Sequence, residues 1–224
     1  MKSFDLVAPE ILIAGLAEIF SIEPQAIEIL SRERNVYSSS CPSEIVDIRL
    51  ADQRTLKLHC KFGGSRFGDL RHAHWDGIEY EGHTYRELLQ GSGLSVPQYY
   101  GTFTSQDSEL ILLVIEHLET CVRLNHSPRR DAAQLAAQWL GRFHALSEGR
   151  RDDEQLHFLK SHDAEYYGGW ARRTLRFAPE FYDKCAWLPK LCKSFLDRAE
   201  ELAGSAGPVV HGEFTPHNVL LGGS

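Results

Sequence analysis

HGEFTPHN, residues 211–218, stands between the apolar pair Val209-Val210 and the triplet Val219-Leu220-Leu221. Both apolar pieces read as strand-like ends of a short polar loop. Strands at both ends would hold Glu213 and Asn218 a fixed distance apart. A proton acceptor held near an amide oxygen that can ligate a metal is what phosphoryl transfer needs. A polar turn with Asx-type backbone bonds around Pro216 accounts for the same residues. The loop alone leaves both readings open.

Upstream of it the chain changes character once. Residues Pro9–Phe20 and Pro24–Leu30 carry helix-like apolar spacing, with Pro24 near a helix start, where its missing N–H costs little. After the Ser-rich stretch Ser38-Ser39-Ser40, two period-two patterns follow. Val46, Ile48 and Leu50 alternate with Asp47 and Arg49; past the polar turn Ala51–Arg54, Leu56, Leu58, Cys60 and Phe62 alternate with Lys57, His59 and Lys61. This predicts a hairpin with one buried face. Gly63–Gly77 reads as a loop, and Glu79–Gln90 as a helix with Glu81, Tyr85 and Leu88 on one face. A strand at Pro97 and the wholly apolar run Glu109–Glu116 come next. From Asp131 the periodicity is helical: Leu135, Trp139, Phe143 and Leu146 share a side, further helices fit His157–Ala203, and Gly204–Gly207 breaks the last. Strands followed by helices predict an α+β chain of two lobes. The expected divisions are a helical segment at 1–34, a β-rich N-lobe at 35–118 and a partial helical C-lobe at 119–224.

The 224 residues are 42% hydrophobic and 25% charged, a globular composition, with formal net charge −7. An acidic surface argues against a nucleic-acid partner. Cysteines 41, 60, 121, 185 and 192 form no C-x-x-C, which excludes a zinc ribbon or disulfide framework and predicts a reducing, cytoplasmic setting. His72 and His74, with Asp69 and Asp76, match no common metal spacing and read as solvated loop residues. No basic region followed by an apolar core opens the chain, so no secretory leader is expected. The longest apolar run, Leu110–Ile115, is too short to cross a bilayer.

HGEFTPHNVLL resembles the catalytic loop H-G-D-x-x-x-x-N of the aminoglycoside phosphotransferase family, whose fold is protein-kinase-like. Four other stretches follow in the family's order: LHCKFGG the lysine strand, YEGHTYRELL the helix with the paired glutamate, ILLVIEHLE the strand into the hinge, and LAAQWLGRFHAL the helix opening the C-lobe. The resemblance covers roughly residues 35–221. It implies ATP or GTP as donor, Mg²⁺ as cofactor and a hydroxylated small molecule, an amino sugar or similar metabolite, as acceptor. Lys61 would hold the α- and β-phosphates and Glu81 would pair with it. Glu116 and Leu118 would meet the purine edge at the hinge. Glu213 would take or orient the acceptor proton, His211 would brace the loop and Asn218 would ligate Mg²⁺. Lys57 is a rival for the lysine: it shares Lys61's strand face, but roughly 13 Å separates the two, so one site cannot use both, and the spacing to Glu81 favours Lys61. Glu81 also reads as an exposed helix-start acid favoured by the macrodipole.

Two departures accompany the resemblance. Glu213 stands where Asp is usual in the family. The family's second Mg²⁺-binding acid, expected on a strand returning after a turn at Gly222-Gly223, has no counterpart, so the chain is expected to be C-terminally incomplete. Val219–Leu221 would then lack a neighbouring strand and invite self-association or a covering partner. A non-catalytic kinase-like module that binds a nucleotide or a protein is the alternative. Tyr166-Tyr167-Gly168-Gly169-Trp170 falls where the family builds acceptor pockets and also suits ordinary helix packing; Asp163 and Glu165 beside it would suit an aminated acceptor.

Overall fold

A computed structural model of the chain describes residues 6–36, 41–64, 77–105, 110–150, 152–204 and 209–222. Five antiparallel strands form the main sheet in the order β1-β2-β3-β5-β4. They are β1 (Ile27–Arg34), β2 (Ser43–Leu50), β3 (Thr55–Gly63), β4 (Tyr99–Ser105) and β5 (Leu110–Glu116). The hairpin read from alternation is β2–β3, with Val46 opposite Leu58 and Ile48 opposite Leu56. β5 is buried along most of its length, as its unbroken apolar run predicts.

Alternation sorts the sheet into two faces. On one, Val46, Ile48, Leu58, Cys60, Phe62, Leu112 and Val114 form the core with Leu12 and Leu16 of helix α1 (Pro9–Phe20). Gly15 lets α1 lie close, since a Cβ there would come within 2.8 Å of both Leu112 and Phe103 side chains. On the other face Leu113 and Ile115 pack with Ile78 of helix α2 (Gly77–His83), and Lys57, His59 and Lys61 share that side. Gly82 brings α2 against β4, for a Cβ there would stand 2.5 Å from Thr102 Cγ2.

The segment entering α1 is clasped to the core face. Glu44, 3% exposed, accepts the Val7 N–H through Oε1 at 3.1 Å and Arg32 Nε through Oε2 at 2.8 Å. Arg32 Nη2 in turn donates to the Val7 carbonyl at 2.7 Å.

The sequence reading is corrected at several places. Residues 27–34, assigned to the helical segment 1–34, are a sheet strand; only a short 3₁₀ turn, Pro24–Ala26, precedes it. After α2 the helix widens into a π-helical stretch, Thr84–Leu89. Val209-Val210 belongs to no strand. The strand expected to stand alone is β7 (Leu220–Leu221), and it pairs with β6 (Val122–Arg123). Leu221 is 9% exposed, whereas Leu220 remains 46% exposed. His72, His74, Asp69, Asp76, Ser38-Ser39-Ser40 and Gly223 lie outside the described residues.

The chain forms two compact units. Met1–Leu146 and His211–Ser224 make the first, and Ser147–Val210 the second. Helix α3 (Ala132–Glu148) begins in the first unit. The second contains α4 (Ala164–Phe177), α5 (Leu188–Asp197) and α6 (Ala199–Ala203), where Asp163 caps α4 by accepting the Tyr166 N–H at 2.8 Å. No described helix is long and apolar enough to cross a membrane. All five cysteines are free.

Candidate active site

Lys61 projects from β3 toward α2, and its Nζ lies 2.5 Å from Glu81 Oε1, with side chains 22% and 27% exposed. The pairing follows from local structure. Alternation puts Lys61 on the α2 face, and the close approach at Gly82 brings Glu81 within reach. Cys41 adjoins this pair: burial pushes its thiol up to about 11, while the Lys61 charge lowers it and the Glu81 charge raises it. Lys57 is committed elsewhere. Its Nζ bonds Glu119 Oε1 at 2.7 Å and stands 4.0 Å from Asp47.

At the end of β5, Glu116 is held twice by Gln98: its N–H donates to the Gln98 carbonyl at 2.8 Å, and its Oε2 accepts the Gln98 N–H at 3.1 Å. The next amide, His117, donates to Lys57 O at 3.0 Å. Leu118 follows, half-buried, where the chain leaves the sheet.

The loop 211–218 closes on itself. Thr215 N donates to Glu213 O at 2.8 Å and Asn218 N to Thr215 O at 2.9 Å. Asn218 Nδ2 donates to the Glu213 carbonyl at 3.1 Å and stands 3.5 Å from its Oε2. With the amide nitrogen so engaged, Oδ1 is left as an acceptor. Gly212, at φ 81°, takes the left-handed turn that a side chain would resist. Leu124 N donates to Val219 O, which holds the loop's far end beside β6. Although His211 is exposed as a residue, its ring packs edge-on against Trp139, Phe143 and Phe214, at 6.1, 6.4 and 5.4 Å between centroids. Burial lowers its pKa, while its own backbone and Glu213 act in the opposite direction.

The structure therefore brings together Lys61 with Glu81, and Glu213 with Asn218; among the described residues no hydrogen bond or ion pair joins the two pairs. Nor do the described residues hold a cluster of three or more His, Cys, Asp or Glu fit for a metal. The lone Asn218 oxygen fits a Mg²⁺ that takes most of its oxygens from phosphates and water. In the second unit, Asp163 is used as a helix cap and Glu165 is paired with Arg172.

Two further participants were not singled out from the sequence. Trp139 was read only as apolar helix face, yet it stacks on Phe214 beside Glu213. His59 lies two residues before Lys61, on the same face, and its Nε2 is 3.2 Å from Asn35 Nδ2 and 3.1 Å from Ser43 Oγ. The strand alternation already placed it there. Burial, then the Lys61 and His117 charges, pushes its pKa down to about 3. An unfolded histidine titrates near 6.5, so between about pH 6.5 and 3 the unfolded chain binds a proton that the folded chain refuses. Stability should therefore rise as the pH goes from about 3 to 6.5, and be lost as the pH falls through that window. His59→Gln should flatten the slope by up to about 1.4 kcal/mol per pH unit, measured by urea unfolding at pH 4–7; an unchanged slope would refute it.

Comparison with curated proteins and with solved structures gives no match. The family model described as the phosphotransferase enzyme family (APH) does match, over residues 76–224. That span is more than half of the chain and holds Glu81, the β5 exit and the whole 211–218 loop. The chain belongs to the phosphotransferase enzyme family.

Proposed function

We propose that the chain transfers the terminal phosphoryl group of ATP or GTP to a hydroxyl of a small molecule, an amino sugar or similar metabolite, on a two-lobed protein-kinase-like fold. The observation that carries this reading is the 2.5 Å Lys61–Glu81 ion pair between β3 and α2. An ammonium fixed by a carboxylate is aimed; a free lysine is not. In this reading Lys61 holds the α- and β-phosphates, Glu81 sets its direction, and the backbone at Glu116 and Leu118 meets the purine edge. Glu213 accepts or orients the acceptor hydroxyl proton, and His211 braces the backbone that carries it. Asn218 offers its Oδ1 to Mg²⁺. When bound with the nucleotide, Mg²⁺ supplies neutralisation of the phosphate charge.

Calorimetric titration with MgATP and MgGTP tests the nucleotide half. Lys61→Ala should weaken binding about 10–100-fold, the worth of one charge-assisted contact. Lys57→Ala, whose ammonium is held by Glu119, should change it less than about twofold, as for an exposed pair. Equal losses in the two variants would overturn the Lys61 assignment. Failure of the unsubstituted chain to bind either nucleotide would overturn the function. Binding without transfer to any hydroxylated acceptor would favour a non-catalytic nucleotide-binding module.

A further inference from the structure

Trp139 lies between two phenylalanines. Its ring stacks on Phe143, one turn along α3, at 5.5 Å and 7°, and on Phe214 of the loop at 5.8 Å and 11°. Phe214 directly follows Glu213, and His211, two residues before Glu213, presses its ring against the same stack. The backbone of Glu213 is thus held on both sides by rings seated on α3. The hold extends to Asn218, whose amide is bonded to the Glu213 carbonyl.

The other side of Trp139 faces a different part of the first unit. Its indole N–H donates to the Ser95 carbonyl at 2.9 Å. Ser95 lies in the connection between the π-helical stretch and β4, three residues before Gln98, which holds Glu116 by two hydrogen bonds. One side chain therefore touches the loop that carries Glu213 and Asn218, and also the segment that leads to the end of β5.

We propose that Trp139 is a positioning residue whose ring seats the 211–218 loop on α3. The purpose of the seat rests on reading Glu213 and Asn218 as the phosphoryl-transfer pair; the seat itself does not. A displacement of about 1 Å in such a loop is enough to cost ~10²-fold in rate, so a rigid double stack has a catalytic consequence without touching substrate.

The test uses the full chain with Trp139→Ala and Trp139→Phe, and reads the His211 titration by NMR, assigned by the signal lost in His211→Gln. Trp139→Ala should return the His211 pKa toward its ordinary value, because the burial that lowers it is removed. It should also lower kcat about 10–100-fold, with the nucleotide KM nearly unchanged. Trp139→Phe keeps the stack and loses only the indole N–H, so the His211 titration should stay depressed and most of kcat should survive. An unmoved His211 in Trp139→Ala overturns the proposal. So does Trp139→Phe as damaging as Trp139→Ala, or a Trp139→Ala chain whose β3 and β5 signals are disturbed along with the loop, which would mark a general loss of packing. If the unsubstituted chain neither binds nucleotide nor transfers phosphate, the functional reading falls and the His211 titration still decides the seating.

Discussion

Glu213→Ala should lower the rate of phosphate transfer by about 10²–10⁴-fold, the usual worth of a positioned general base. Affinity for MgATP should scarcely change, because Glu213 lies on the loop and the phosphate lysine on β3. The carboxylate is exposed and near Asn218, and its backbone carbonyl accepts from both Thr215 N and Asn218 Nδ2. Those bonds fix where the side chain starts, so its reach is set by its length. Glu213→Asp draws the carboxylate back by about 1 Å, and a shift of that size costs up to ~10²-fold. The expected order of activity is therefore the unsubstituted chain, then Glu213→Asp, then Glu213→Ala. Labelled ATP and GTP with a panel of hydroxylated acceptors would measure it. Activity of Glu213→Ala equal to that of the unsubstituted chain would show that another group handles the acceptor proton. A gain in activity on Glu213→Asp would show that the loop is set for the shorter acid.

Glu44→Ala should destabilise the fold by about 3–5 kcal/mol, the range for removing one member of a buried ion pair. The carboxylate is 3% exposed, its partner Arg32 is 12% exposed, and both hold the backbone of Val7. Truncation leaves the guanidinium buried without its counter-charge and the Val7 N–H without its acceptor. The entry to α1 loosens as well, and α1 covers the core face of the sheet. Replacing the pair together, by Arg32→Met with Glu44→Leu, should cost far less, because no charge is then left unmatched. Urea unfolding of the three proteins gives the comparison. A loss below about 1 kcal/mol in Glu44→Ala would place the clasp among exposed pairs of little worth.

Legibility in the sequence followed the range of the interactions. The β2–β3 hairpin was readable because its partners, Val46 with Leu58 and Ile48 with Leu56, lie close along the chain and alternate cleanly. β1 was not. Ala26, Ile27, Ile29 and Leu30 satisfy helical spacing as well as alternation, and pairing of Ile29 with Ile48 decides for the strand. The π-helical stretch Thr84–Leu89 gave no sign, because widening of a helix depends on what it packs against. In the site, the motif named Glu213 and Asn218, and strand alternation placed Lys61 on the face where Glu81 meets it. Trp139 was legible only as an apolar position on α3. Its stack on Phe214 and its bond to Ser95, 44 residues away, are contacts that helical periodicity cannot report. The β6–β7 pair escaped for the same reason, being two-residue strands far apart along the chain.

The first compact unit is discontinuous along the chain, and this bears on the order in which a ribosome delivers its parts. Every strand of the five-stranded sheet has been made by Glu116, together with Lys61 and Glu81. β7 and the 211–218 loop emerge only after the whole second unit has been synthesised. At translation speeds of about 5–20 residues per second, that delay lasts several seconds, ample time for a sheet built from neighbouring strands to form first. Through that interval the nascent protein presents a lysine–glutamate pair without the loop, and Val122 and Arg123 of β6 wait with an unpaired edge. The two pairs are thus separated in time as well as in sequence, and the later of them follows a long-range closure that brings Leu221 back to Val122.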